Sequence, residues 1–413
     1  MSEVPSTVEE HLARVLGGVH PLTPVPTPLL DALGLTCAED VVATMALPSF
    51  DNSAMDGYAV RRADVAGAEA ADPVTLPVVG EIGAGQASLR ALAPGTAAKI
   101  MTGAPIPDGA DAVVPYEWTD RGIAQVRIDQ APEQGQHVRP AGDDVAEGDL
   151  LVEAGTVLGP RQLGLLASVG RATVLVRPRP RVVVLSTGTE LREPGQPLGH
   201  DSIYDGNSYL LAAAVRQAGG IAVRVGIVPD EPQAFLETVR DQLGRADLVV
   251  TSGGVSQGDF DVVKEALRPE GIWFGPVAMQ PGKPQGFGLV GDGTTDLRVP
   301  IVTLPGNSVS AYISFEMFVL PAIRTMLGLT PVSRPLVDAR LTHGMTSPEG
   351  RRQFMRGQAG TDEQGTYVEP VGGPGSHLVG ALAAANCLIV VPEQATKLDA
   401  GDRVPVLLLD KPF

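Results

Sequence analysis

The chain has 413 residues, 44% of them hydrophobic and 19% charged, with a formal net charge of −17. That length exceeds what one hydrophobic core serves, so about two to four domains are expected, and the composition excludes a disordered chain. The acidic balance, with no run of five basic residues, argues against nucleic acid or an anionic membrane as partner.

In chain order, residues 6–18 (STVEEHLARVLGG) read as a helix capped by Ser6 with Glu9 three residues on, stopped at Gly17-Gly18. TPLLDALGLTCAEDVVA reads as a second helix or a helix and strand. From about Leu47 to Asp143 short β-like runs (VTLPVVGEI, TAAKIM, DAVVPYEW, IAQVRI) alternate with Gly, Pro and Asp, the pattern of a small inserted β domain. A helix follows, with Leu163, Leu166 and Ala167 on one face and Gly170 at its end. Residues 179–328 alternate strands (RVVVLSTG, IAVRVGIV, DLVVTSGG, VPIVTLPGN) with helices. One helix carries Leu210, Leu211, Ala214, Val215 and Ala218 on a stripe; another carries Phe235, Leu236, Val239 and Leu243. This is a doubly wound α/β domain with a mostly parallel sheet, whose functional loops belong at the carboxyl ends of the strands. Residues 329–413 return to short β runs, a small β barrel or sandwich. The expected division is 1–47 with 142–178, 48–141, 179–328 and 329–413. Cys37 and Cys387 form no CxxC pair, so neither a disulfide framework nor a thiolate zinc site is expected. The first residues lack a signal-peptide pattern, and AYISFEMFVLPAI is too short to span a bilayer and carries Glu316. A soluble cytoplasmic protein is expected.

The stretch TSGGVSQGDFD (Thr251–Asp261) joins a strand to a helix. Its glycines reach backbone angles closed to other residues, and a helix start behind them suits phosphate. It is neither a P-loop nor GxGxxG. Asp259 reads as an N-cap. Asp261, two residues on, falls inside the first turn; it is either a solvated group or a magnesium-side carboxylate, since Mg²⁺ is often held by one or two carboxylates plus substrate phosphates. STGTEL repeats the logic at a neighbouring strand end, with Glu190 beyond it. Asp230 before Glu-Pro, and YDGN (Tyr204–Asn207), read most economically as helix caps. PGKPQGFG sets Lys283 in a loop stiffened by prolines, and LPGN places Asn307, Ser308 and Ser310 near a helix start. FDNSAMDGYAVR reads as turn chemistry, or as a junction from which Met55, Asp56 and Tyr58 reach a cleft, and IMTGAPIPDGAD reads as a similar polar loop.

Together FDNSAMDGYAVR, IMTGAP, STGTEL, YDGN, TSGGVSQGDFD, PGKP, LPGN and PGSH resemble the MoeA family, the molybdopterin molybdenumtransferases that include the E domain of gephyrin. The similarity runs in order along nearly the whole chain. The resemblance implies an elongated homodimer, with an α/β domain similar to molybdopterin adenylyltransferase. It also implies insertion of molybdenum from molybdate into adenylylated molybdopterin, with release of AMP and Mg²⁺ as cofactor. Contact with molybdopterin adenylyltransferase itself is a further implied partnership.

By motif position the resemblance implies catalytic roles for Asp56, Thr102, Asp144, Glu190, Asp230 and Asp261, with Glu190 and Asp261 on the metal. Asp56, Thr102 and Asp144 would face the cleft from the second subunit. Ser186, Thr187, Gly188, Ser252, Gly253, Gly254, Ser256, Lys283, Pro305, Ser310, Arg356 and Ser376 would bind the cofactor and molybdate. The sequence departs from the family at Gln280, where many relatives have lysine, near Gly275-Pro276, where a lysine is usual, and at Ser308, where LPGNP is usual. Two other readings are an adenylyl-transferring or nucleotide-pyrophosphate enzyme confined to the α/β domain, and a non-catalytic scaffold. The first leaves DNSAMDGYA and RRQFMRG without a task; the second is disfavoured by the presence of Asp56, Glu190 and Asp261.

Overall fold

A computed structural model describes residues 4–85, 91–255, 261–411 and 413. The chain forms two compact units, one from Pro26–Val174 and the other from Met1–Val25 with Leu175–Phe413.

In the first unit five strands run in the spatial order Ala112–Pro115, Gly57–Val60, Ala97–Ile100, Val74–Ile82 and Gln125–Ile128. The strand Gly57–Val60 is the second half of a motif that reads as turn chemistry. It lies between two partners with every residue buried. Tyr58 and Val60 pack into one cluster and Ala59 into another, so both faces are covered and the polar–apolar alternation that marks a half-exposed strand is absent. TPLLDALGL gives a 3₁₀ turn, Leu29–Ala32, in place of a full helix. In the helix Pro160–Ser168, Leu163 and Leu166 are buried but Ala167 is exposed, which narrows the expected apolar face.

The second unit contains the α/β domain. Its six-stranded sheet has the order Ile221–Val228, Arg181–Thr187, Leu248–Ser252, Arg298–Leu304, Pro284–Gly291, Trp273–Pro276. The first four strands are parallel and the last two antiparallel. The antiparallel pair is hidden in the sequence by its glycines. A Cβ at Gly286 would sit 2.3 Å from Thr303 Oγ1, so the close approach of two strands dictates a residue type that reads as loop. One face of the sheet packs Val182, Val184 and Val250 against Leu211, Ala214 and Val215 of the helix Asn207–Gln217 and against the long helical run that begins at Ser308. The other packs Val183, Leu185 and Val249 against Phe235, Val239 and Leu243 of the helix Pro232–Leu243. Burial on both faces explains the near-continuous valine runs.

The strands Leu336–Leu341, Arg352–Asp362, Gly365–Pro370, Cys387–Val391 and Arg403–Leu408 close into a five-stranded barrel. Met279 and Gln280 pair in parallel with Arg352 and Gln353, which staples the PGKP loop to it. Among the described residues no helix is long and apolar enough to cross a membrane.

The N-terminal helix, Val8–Gly17, starts one residue later than its motif suggests. Thr7, not Ser6, makes the reciprocal cap with Glu10, because both Ser-x-x-Glu and Thr-x-x-Glu fit the pattern. Glu9 instead pairs with Arg352. The helix buries His11 between Phe318 and Trp273, at centroid distances of 4.6 and 5.2 Å. The Arg14 guanidinium lies 3.8 Å over Trp273 and donates to His11 Nδ1 at 3.2 Å. Burial first, then the Arg14 charge, pull the His11 pKa down to about 3. A depressed imidazole favours the neutral form in the fold, so its stabilisation is complete above about pH 6.5 and declines as pH falls toward 3. From pH 7 to pH 5 the loss is about 2 kcal/mol. We expect His11→Phe to remove that part of the pH dependence. Urea unfolding followed by Trp273 emission, in a Trp118→Phe background, measures it; an identical pH dependence in both proteins would contradict it.

Candidate functional site: a cleft at the strand tips

Three parallel strands end side by side, with Ser186 aligned to Ser252 and Ser252 to Leu304. The turns that follow are glycine turns in close approach. Gly253 N–H donates to the Leu304 carbonyl at 3.1 Å. A Cβ on Gly306 would lie 3.5 Å from Gly253 Cα. Gly253 has φ +100°, and a Cβ there would lie 2.9 Å from the Thr187 carbonyl oxygen, so both backbone angle and space require glycine.

Asn207, the first residue of its helix, locks the turns together. Its Nδ2 donates to Ser252 Oγ at 2.8 Å and to the Gly306 carbonyl at 2.6 Å. Ser252 Oγ donates onward to the Pro305 carbonyl at 3.3 Å. Asn307 Nδ2 donates to Ser376 Oγ at 3.0 Å, which brings the PGSH loop beside the LPGN turn. Asp205 accepts from Ser208 N–H and Oγ at 3.0 and 2.5 Å and so holds the helix start, the capping role expected of YDGN. The bridging role of Asn207 is not legible in the sequence, since an asparagine at a helix start is explained equally well by local capping.

These turns enclose a cleft of about 430 Å³. Ser186, Thr187, Gly188, Ser252, Gly253 and Gly254 line it, with the carboxylates of Glu190, Asp230 and Asp261. Ser186 Oγ, Thr187 Oγ1 and Asn207 Oδ1 are buried without a hydrogen-bond partner among the described residues. Buried polar atoms are normally satisfied, so these three mark a surface built for a polar ligand.

The structure corrects two capping assignments. The cap of the helix Pro232–Leu243 is Glu231, whose carboxylate accepts from Gln233 and Ala234 N–H. Asp230, one residue earlier, accepts from Thr189 N–H at 3.1 Å and so ties two strand-tip loops together. Asp261 stands at the N-cap position of the helix Val262–Leu267, not within its first turn, and makes no side-chain cap bond; its carboxylate meets Lys264 Nζ at 2.8 Å. Ser256 and Asp259 lie outside the described residues.

Other expected site residues sit elsewhere. Arg356 is 1% exposed. It donates to the carbonyls of Gly373 and Gly375, and burial lowers its pKa. It shapes the loop that carries Ser376 and does not line the cleft. Lys283 is half-buried and Ser310 buried; neither lines the cleft. The Lys283 loop is pinned by Gln285 Nε2, which donates to the Gly282 carbonyl and Ser314 Oγ, both at 2.7 Å. In the unit Pro26–Val174, Asp56 Oδ1 accepts from Thr102 N–H and Oγ1 at 2.7 and 2.8 Å, and those bonds hold its carboxyl below the usual range. Asp144 is exposed, its N–H bonded to the Leu47 carbonyl.

No group of three or more His, Cys, Asp or Glu is placed to hold a metal among the described residues. Glu190, Asp230 and Asp261 nevertheless offer oxygen donors alone on one cleft. That is the donor type Mg²⁺ takes, and one or two carboxylates suffice when phosphate supplies the rest.

Comparison with known proteins fixes the family. The chain matches the MoeA N-terminal region (domain I and II) over residues 6–170, the probable molybdopterin binding domain over 183–325, and the MoeA C-terminal region (domain IV) over 338–409. It is 46% identical over 407 residues to molybdopterin molybdenumtransferase 2 of Mycobacterium tuberculosis, covering 97% of this chain and 98% of that one. The chain belongs to the MoeA family. A second relative, the molybdopterin molybdenumtransferase of Haemophilus influenzae, is 37% identical over 382 residues, 92% of each chain. Among solved structures, a MoeA molybdopterin biosynthesis protein from Pyrococcus horikoshii superposes with a TM-score of 0.85 at 31% identity, covering 99% of this chain and all of that one. The three matched regions together span both compact units.

The close approach at the glycine turns generates a prediction. Gly253→Ala is expected to cost roughly 1–3 kcal/mol and to disturb ligand binding in the cleft. Gly244→Ala, at an unstrained position with open space around it, is expected to be neutral or slightly stabilising. Thermal unfolding of the two variants distinguishes them; equal melting temperatures would contradict the steric account.

Proposed function

We propose that this chain is a molybdenum-inserting transferase of molybdenum cofactor biosynthesis, which takes molybdate and adenylylated molybdopterin and releases AMP. The observation that carries this is the strand-tip cleft, where unpartnered hydroxyls and three carboxylates meet at glycine turns in a chain of the MoeA family. An adenylylated pterin carries a diphosphate, and molybdate is a tetrahedral dianion. In a chain of net charge −17 such anions need a local site of donors.

Ser186 and Thr187 hydroxyls donate to phosphate oxygens. Asn207 keeps the neighbouring turns at fixed spacing, so the substrate meets a preformed surface and little ordering remains at the moment of reaction. Ser376, held beside Asn307, adds a hydroxyl on the side of the barrel. Glu190 and Asp261 would hold Mg²⁺, which when bound supplies positive charge against the departing phosphate. No side chain forms a covalent intermediate in this reading; the chain works by placement and charge. In the homodimer we envisage, a cytoplasmic enzyme, Asp56, Thr102 and Asp144 of the partner subunit complete the site. The enzyme that adenylylates molybdopterin is the natural supplier of substrate and a candidate contact.

Incubation of the purified protein with adenylylated molybdopterin, Mg²⁺ and molybdate tests the reading. AMP release that requires molybdate is expected. Release without molybdate would indicate a pyrophosphatase-like reaction, and no release would indicate a scaffold; either overturns the proposal. Asp261→Asn is expected to lower Mg²⁺-dependent turnover roughly tenfold to a hundredfold, the equivalent of one lost charge-assisted contact, with little change in melting temperature. Parallel loss of activity and stability would remove Asp261 from a catalytic role.

A further inference from the structure

The segment between the strand Arg181–Thr187 and the helix Asn207–Gln217 forms a flap along one wall of the cleft. Leu191 and Arg192 pair in parallel with Ile203 and Tyr204, so the flap folds back on itself, and all but Arg192 of these four line the cleft together with Glu190. Apolar burial does little to hold it, since Ile203 is 57% and Tyr204 46% exposed. Besides the bond from Thr189 N–H to Asp230, a guanidinium ties it down. Arg224, on the edge strand Ile221–Val228, donates to the two Glu193 carboxylate oxygens at 2.8 and 3.0 Å. It also donates to Ser208 Oγ at 3.2 Å and to Tyr209 Oη at 3.3 Å, and it stacks 4.3 Å from the centre of the Tyr209 ring. Tyr209 Oη donates in turn to Glu193 at 3.1 Å. Beneath this lies Asp205, 1% exposed and 3.9 Å from Arg224.

We propose that Arg224 is a positioning residue of the cleft. Through Glu193 it clamps the flap that carries Glu190. Through Ser208 and Asp205 it fixes the helix start that presents Asn207. An exposed ion pair alone stabilises little. This one is a two-pronged fork with a stacked ring, and it also balances a buried carboxylate that would otherwise lack its neighbouring positive charge. Lysine cannot reproduce the fork or the stacking, so the arrangement is specific to arginine.

The proposal rests on the nucleotide reading only for what the flap encloses, and the test separates the two. Amide hydrogen exchange on the ligand-free protein is compared for wild type, Arg224→Lys, Arg224→Gln and Glu193→Gln. Glu193→Gln is expected to speed exchange in residues 189–204 about tenfold and leave residues 206–210 unchanged. The two Arg224 variants are expected to speed both segments, with the strand Leu248–Ser252 unaltered in every case. Unchanged exchange in 189–204, or acceleration spread evenly over the domain, overturns the clamp. Calorimetric titration with AMP is expected to show about tenfold weaker binding in Arg224→Lys. A loosened flap with unaltered AMP affinity overturns the positioning role. Absence of AMP binding to wild type instead sinks the nucleotide reading, while the exchange pattern still decides the clamp.

Discussion

The site depends on one steric constraint: the turns after neighbouring strands meet so closely that Gly306 packs in van der Waals contact with Gly253, and a Cβ on Gly253 would lie 2.9 Å from the Thr187 carbonyl oxygen. That approach lets a single amide, Asn207, reach both turns, and it sets the hydroxyls of Ser186 and Thr187 at the edge of the same cleft. The sheet supplies the rigidity. Three of its four parallel strands, Arg181–Thr187, Leu248–Ser252 and Arg298–Leu304, are buried on both faces, so their tips are fixed relative to one another and the loops inherit that geometry.

An acidic chain that handles anions must concentrate its donors. Here the donors are mostly neutral hydroxyl and amide groups, and the nearest full charges within the cleft are carboxylates. That balance makes a bound cation a working part of the proposed chemistry. It also explains the division of labour among the basic residues. Arg356 is spent on the carbonyls of the loop bearing Ser376, and Arg224 on Glu193. In each case the guanidinium orients a neighbour of the cleft and does not itself line it.

Much of this was legible in the residues. The valine-rich strands, the helices between them and the glycine turns announce a doubly wound sheet with its site at the strand ends, because burial on both faces writes itself as unbroken apolar runs. What escaped has physical causes. The strand Gly57–Val60 lacks alternation because both its faces are covered. The strand Pro284–Gly291 is rich in glycine because a neighbouring strand crowds it. The caps at Thr7 and Glu231 fall one residue from their expected places because adjacent residues offer equivalent chemistry. Asn207 and Arg224 act across long sequence separations, and no local pattern encodes a bond from a helix start to a strand tip. Arg356 reads as an anion ligand from its motif, and only the packed structure reveals that its two terminal nitrogens reach the carbonyls of Gly375 and Gly373.

The central claim is that the strand-tip cleft is the seat of the nucleotide phosphate. Difference density from crystals of this protein soaked with AMP and Mg²⁺ tests it most directly. The account requires the phosphate against the Gly253 and Gly306 turns, within hydrogen-bond reach of Ser186 or Thr187. Density for AMP elsewhere on the chain, with this cleft holding only solvent, would contradict it.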